Sequence, residues 1–282
     1  MDNPLRGIGL NLLAGIIFCL ADTIAKKLAG EVAIVQITWT RYVVFVLMAG
    51  LLTTRIGGAS FYVRAPWLQV ARGMCLVCSS LLFVLGIRDV GLAEAATIGF
   101  IGPILVTVLS IPLLGEKVDA RRWIALAAGM IGVLVVLRPG AGTFQAEGLY
   151  RVASAMFWAV GVILTRRMTK TERAETTMFW SAVSGLVVLT AIIPFHFVRP
   201  TAMQLWLSIG QGVLSSLGQW MVILSLRFTP VSTLAPYSYM QLLWMTVAGF
   251  LAFGVLPDGW TLAGAAIIAV SGLYTAQRER RR

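Results

Sequence analysis

Residues 96–117 read ATIGFIGPILVTVLSIPLLGEK, and residues 234–258 read LAPYSYMQLLWMTVAGFLAFGVLPD. Both are apolar runs broken by proline: Pro103 and Pro112 in the first, Pro236 in the second. Proline removes a backbone donor and clashes with the preceding turn, so a soluble core helix avoids it. In lipid the freed carbonyls must be satisfied by neighbouring helices or by a wet cavity. The two runs align at an offset of 139 residues, with Thr107 on Thr246, Gly115 on Gly254 and Asp119 on Asp258. The same offset puts Gly9 on Gly148, Phe18 on Phe157, Ile24 on Ile163, Trp67 on Trp206, Gly73 on Gly212 and Arg88 on Arg227. At 140, Ala125 meets Ala265 and Gly132 meets Gly272. A constant offset from Gly9 to Asp119 marks an internal duplication.

Composition says where the duplicated unit lives. Hydrophobic residues make up 58% of the 282 and charged residues 12%, half the share of about 25% in an average soluble domain. A membrane helix needs about 20 apolar residues. Ten such spans are expected, at 5–27, 32–53, 65–86, 90–114, 121–137, 147–166, 174–194, 203–226, 231–254 and 260–276. The loops between them are too short for a soluble domain. Arg6 before the first span imitates a signal peptide, but a similar segment recurs mid-chain, which a cleaved leader does not.

The halves 1–140 and 141–282 hold five spans each. Five is odd, so the second copy enters the membrane from the opposite side. The expected fold is an all-α integral membrane protein, ten transmembrane helices arranged as two inverted five-helix repeats. Transporters use this arrangement with the substrate near the midplane between repeats, and interrupted segments at matching positions point to the site.

Charge is distributed by side. The N-terminus, the even-numbered loops and the C-terminus hold fifteen Lys and Arg; the odd-numbered loops hold six. Positive charge stays inside, which puts both termini in the cytoplasm. The tail RERRR (278–282) reads as an anchor on anionic lipid rather than as a nucleic-acid contact. Cys19, Cys75 and Cys78 lie within spans, and His196 is the sole histidine. With His196 at the end of a different span, the cysteines read as small apolar packing residues rather than as part of a four-ligand zinc site. With no phosphate loop and scattered carboxylates, the chain is expected to be no enzyme and to hold no cofactor. A channel would carry a repeated filter or charged ring, and none is visible.

Residues 103–137, PILVTVLSIPLLGEKVDARRWIALAAGMIGVLVVL, resemble the signature of the drug/metabolite transporter superfamily, EamA type. That signature is a Pro-containing helix, a Gly-Glu turn and a short helix with Gly-x-x-Gly-Val. The resemblance covers the whole chain and implies a bacterial inner-membrane carrier, commonly an exporter of amino acids or related metabolites. Within the family the chain looks most like the aromatic-amino-acid exporters. Val255 stands where the first copy has Glu116, so Glu116 is read as a turn or cap rather than a substrate ligand.

Polar groups within spans are the candidate cavity residues. The third span has Arg72, Ser79 and Ser80; its mate, the eighth, has Gln211, Ser215, Ser216 and Gln219. Positions 72, 76, 79, 80 and 83 share one helical face. Tyr237, Ser238, Tyr239 and Gln241 surround Pro236, Trp158 lies at mid-depth in the sixth span, and Thr97 and Phe100 precede the break at Pro103. Together they suit a small zwitterion with an apolar side chain, an amino acid or similar metabolite; a lipophilic drug is the second reading. Trp67, Trp123, Trp206 and Trp260 lie at span ends, where tryptophan favours the interface. Charges inside spans are functional by default, and four stand out: Asp22, Arg41, Arg72 and Glu94. Asp22 and Arg41 suit either a structural pair or a substrate or proton role; Glu94 is a candidate for proton coupling. Small-residue faces at Ala125, Gly129 and Gly132, and at Ala265, Ala269 and Gly272, allow close helix approach, joining the repeats or forming a homodimer; monomer and homodimer both remain open.

Overall fold

Every regular element described by the computed structural model is helical; it describes residues 4–55, 61–88, 101–137, 146–169, 171–254, 259–260, 262–264 and 266–270. In chain order these are α1 (Pro4–Ala29), α2 (Ile34–Arg55), α3 (Pro66–Arg88), α4 (Gly102–Leu114), α5 (Ala120–Leu137), α6 (Ala146–Met168), α7 (Ala174–Ile192) and α8 (Ala202–Phe228). A four-residue helix, Val231–Leu234, and a 3₁₀ turn, Ala235–Tyr239, lead into α9 (Met240–Phe253). Six helices among the described residues are long and apolar enough to cross a membrane. The chain is a multi-pass membrane protein.

The two interrupted runs end alike. α4 takes Pro103 in its first turn, where the missing N–H would have had no intrahelical partner. It stops at Gly115 with φ 67°, whose N–H bonds the Ile111 carbonyl at 3.1 Å. α9 stops at Gly254 with φ 68°, whose N–H bonds the Phe250 carbonyl at 3.0 Å. A left-handed residue satisfies the last carbonyls of a helix, and glycine adopts it without a Cβ penalty. In the second run the break is fuller: Pro236 sits inside the 3₁₀ turn that separates Val231–Leu234 from α9.

Side-chain contacts sort the helix ends into two groups. At one end of the bundle Arg6, near the start of α1, lies over the Phe228 ring at the end of α8. Arg227 donates to the Glu172 carbonyl at 2.7 Å, and Glu172 follows the end of α6. At the opposite end Gln36, at the start of α2, exchanges two hydrogen bonds with Val198, at 2.8 and 2.9 Å. Glu31 accepts from Gln204 in the first turn of α8 at 2.9 Å. So α1 begins where α6 finishes, and the two helices run in opposite directions.

Small residues let the helices meet. In lipid there is no hydrophobic gain from helix association, and packing and hydrogen bonds replace it. A Cβ on Gly73 of α3 would come within 2.6 Å of the Ser181 carbonyl of α7. A Cβ on Gly212 of α8 would come within 2.8 Å of Val44 of α2. Gly129 and Gly132 of α5 face Tyr239 and the 264–268 segment, with Gly264 O 2.9 Å from a Cβ on Gly132. These two glycines of α5 therefore pack within the chain.

Candidate functional site

Between the helices lies a cavity of about 230 Å³. Its lining comes from both halves of the sequence. α1 contributes Asn11, Gly15, Phe18 and Asp22; α2 contributes Arg41, Tyr42 and Phe45. α3 contributes Leu76, Ser79, Ser80 and Phe83, and α4 contributes Pro103. From the second half come Arg151, Ser154 and Trp158 of α6, then Ser215 and Gln219 of α8. Tyr237 and Ser238 of the 3₁₀ turn and Gln241 and Trp244 of α9 complete the wall.

The α3 face follows from helical spacing, since 76, 79, 80 and 83 project to one side. It is held to α6 by Ser154, which donates to the Ser79 carbonyl at 2.7 Å, and the two hydroxyls lie 3.3 Å apart. Arg41 reaches across from α2 and donates to the Ser80 hydroxyl. The Arg151 guanidinium lies 4.2 Å from the centre of the Phe83 ring, within cation–π range. Asp22 on α1 lies within electrostatic reach of both Arg41 and Arg151.

Most sequence candidates meet here: Asp22, Arg41, Ser79, Ser80, Pro103, Trp158, Gln219, Tyr237 and Gln241 all line the cavity. Arg72, Gln211 and Tyr239 are placed elsewhere. Arg72 is fully buried among α3, α6 and α7, donating to Thr165 at 2.6 Å and to the Thr177 carbonyl at 3.5 Å. Gln211 is buried on α8, and Tyr239 packs on Gly129 of α5. Glu94, Thr97 and Phe100 lie outside the described residues. Glu116 is a cap: its carboxylate accepts from the backbone N–H of Val231 at 3.1 Å and of Ser232 at 3.0 Å.

The residue missed is Arg151. It sits five residues past the start of α6 and looks by position like an outer-loop charge, whereas the helix carries it into the cavity. A basic residue one turn inside an apolar span was the available signal. Among the described residues no group of three His, Cys, Asp or Glu could hold a metal ion.

Beyond Trp158 a second void of about 20 Å³ continues toward the end where α1 begins. It shares Asn11, Pro103, Trp158, Val222 and Ser238 with the main cavity. Its own walls are apolar: Val106, Val162, Leu226, Val231 and Leu234.

The profile of the EamA-like transporter family matches twice, at residues 5–138 and 147–276. A riboflavin transporter of Rhizobium johnstonii is 28% identical over 279 residues, covering 96% of this chain and 91% of the relative. An S-adenosylmethionine uptake transporter of Rickettsia conorii is 24% identical, covering 98% and 94%. A pseudopaline exporter of Pseudomonas aeruginosa is 23% identical, covering 99% of both chains. A solved crystal structure superposes with a TM-score of 0.81 at 18% identity, over 97% of this chain and 98% of that one; it speaks to the fold alone. The likeness to aromatic-amino-acid exporters expected from sequence is thereby corrected, since these relatives are named for other cargoes. With both halves matched, the chain belongs to the EamA-like transporter family and is a membrane transporter of small metabolites.

Proposed function

We propose that this chain carries a small metabolite across the bacterial inner membrane by alternating access, with the cavity between its halves as the binding place. The supporting observation is that the cavity is walled by both family-matched segments while α1 and α6, the first helix of each, run oppositely. This supports a reading of ten spans in two inverted five-helix repeats, 1–140 and 141–282, and the positive-inside charge count supports both termini in the cytoplasm. A pair of half-bundles around one site can expose it to either side in turn.

The relatives are named for uptake and for export, and for cargoes unlike one another. The lining is therefore the better guide to cargo. Phe18, Phe45, Phe83, Trp158 and Trp244 offer apolar ring surface, while Asn11, Ser79, Ser80, Ser215, Gln219 and Gln241 offer neutral polar groups. Such a mixture suits an amino acid with an aromatic or apolar side chain, and export is the direction that the family resemblance suggests. The experiment is exchange of labelled amino acids into proteoliposomes, with and without a pH gradient. Exchange of one, blocked by others of similar shape, is expected. If no amino acid moves or competes, that cargo is wrong. Accessibility tags in the loops flanking 5–27 and 147–166 test the architecture; both segments crossing in one direction would sink it.

A further inference from the structure

The cavity holds three formal charges among its described lining residues: Asp22, Arg41 and Arg151. Two guanidiniums and one carboxylate therefore give the described lining a net formal charge of +1. A charge at membrane depth costs at least about 2.5–3.5 kcal/mol, and such charges face the bundle interior or a wet cavity and mark substrate or ion pathways.

The two guanidiniums converge. Arg41 comes from α2 and bonds Ser80; Arg151 comes from α6 and lies over Phe83. Ser80 and Phe83 are three residues apart on α3, so their Cβ atoms are about 5–6 Å from each other. Both cations thus stand against neighbouring positions of one helix face, and Asp22 of α1 lines the same cavity. The Ser154–Ser79 bond lies one turn from Arg151 and fixes α6 against α3.

We propose that Arg41 and Arg151 together receive a carboxylate on the cargo, and that Asp22 is the built-in counter-ion that this carboxylate supplants. The assignment rests on the cavity being the binding place argued above, and names the feature of the cargo that the site selects. Guanidinium forks match carboxylates bidentately, and the ring-rich remainder of the wall takes the cargo's body.

The test uses three ligands with the same ring: N-acetylphenylalanine (acid only), phenylalanine (zwitterion) and phenethylamine (amine only). Each is titrated into the purified full chain in nanodiscs, followed by tryptophan emission and melting temperature. The two acids are expected to bind at least tenfold more tightly than the amine. Arg41→Gln or Arg151→Gln removes that preference, while Arg41→Lys and Arg151→Lys, which keep the charge, retain part of it. Asp22→Asn tightens N-acetylphenylalanine several-fold, because the internal competitor is gone; Asp22→Ser gives the same comparison if the first variant does not fold. Equal binding of acid and amine, a preference that survives Arg151→Gln, or weaker acid binding in Asp22→Asn overturns the proposal. So does displacement of the acids by millimolar chloride or inorganic phosphate, which would make this a site for inorganic anions. Vesicle exchange of neutral ring compounds with indifference to carboxylates overturns this assignment and leaves the transport reading intact. Binding of acids without exchange of any compound does the reverse.

Discussion

Ser154 on α6 donates a hydrogen bond to the main-chain carbonyl of Ser79 on α3 at 2.7 Å. With the Arg72–Thr165 bond it ties together the two helices that carry Arg151 and Ser80. Interhelical hydrogen bonds in membranes average about 0.6 kcal/mol and reach about 1.7. Ser154→Ala should therefore leave the protein folded, with thermal unfolding in detergent only slightly lowered. Exchange in proteoliposomes should suffer more than stability, because the bond positions the cavity wall.

Trp158 stands between the main cavity and the small void beyond it. Trp158→Ala should merge the two spaces and weaken substrate affinity, since a stacking surface is lost. Val162→Trp fills the far void instead. It should spare binding to the cavity while stopping exchange across the membrane, which separate binding and counterflow measurements will distinguish. Normal exchange in Val162→Trp would mean that the path does not run through that void.

Gly73 and Gly212 each lie where a Cβ would intrude on a neighbouring helix, at 2.6 Å and 2.8 Å. Overpacking of this kind costs about 1–3 kcal/mol. Gly73→Val should cost more than Gly212→Val, because Gly73 meets the Ser184 hydroxyl as well as the Ser181 carbonyl, whereas Gly212 meets the Val44 side chain at 2.8 Å and beyond. Melting temperature and monodispersity in detergent check both the loss and its order.

Gly115 and Gly254 hold φ values of 67° and 68°. Alanine at either should destabilise by about 1 kcal/mol, the cost of a non-glycine residue in the left-handed region. Because the sites lie in different helices, the double variant should sum the two losses. Denaturant midpoints of the singles and the double provide the check.

Much of this was legible in the sequence because periodicity survives in lipid. Of the α3 face expected at 72, 76, 79, 80 and 83, the last four positions line the cavity, and the break around Pro236 is a 3₁₀ turn. Arg72 obeys the same period yet lies one turn nearer the start of α3, where Thr165 and Thr177 cover it. Period gives the face of a helix but not how far along it the neighbours reach. Arg151 was hidden by the opposite error, since a charge near a span boundary looks like loop. Phe45 and Trp244 line the cavity, but an aromatic ring in an apolar run gives no sign of whether it faces lipid, core or lumen. The family was legible and the subgroup was not, because the signature at 103–137 lies mainly in a turn and packing faces, with Pro103 its one described residue in the cavity wall.

The clasp of Glu116 on the short helix Val231–Leu234 has an uneven counterpart in the chain itself. At the matching sequence position after Gly254 the second copy has Val255, a side chain with nothing to accept an N–H. Hydrogen bonds to a charged group contribute about 1.5–3 kcal/mol each, and Glu116 makes two of them. The first half thus tethers the second through a carboxylate for which the repeat encodes no twin, and the likeness of the two copies stops at this clasp.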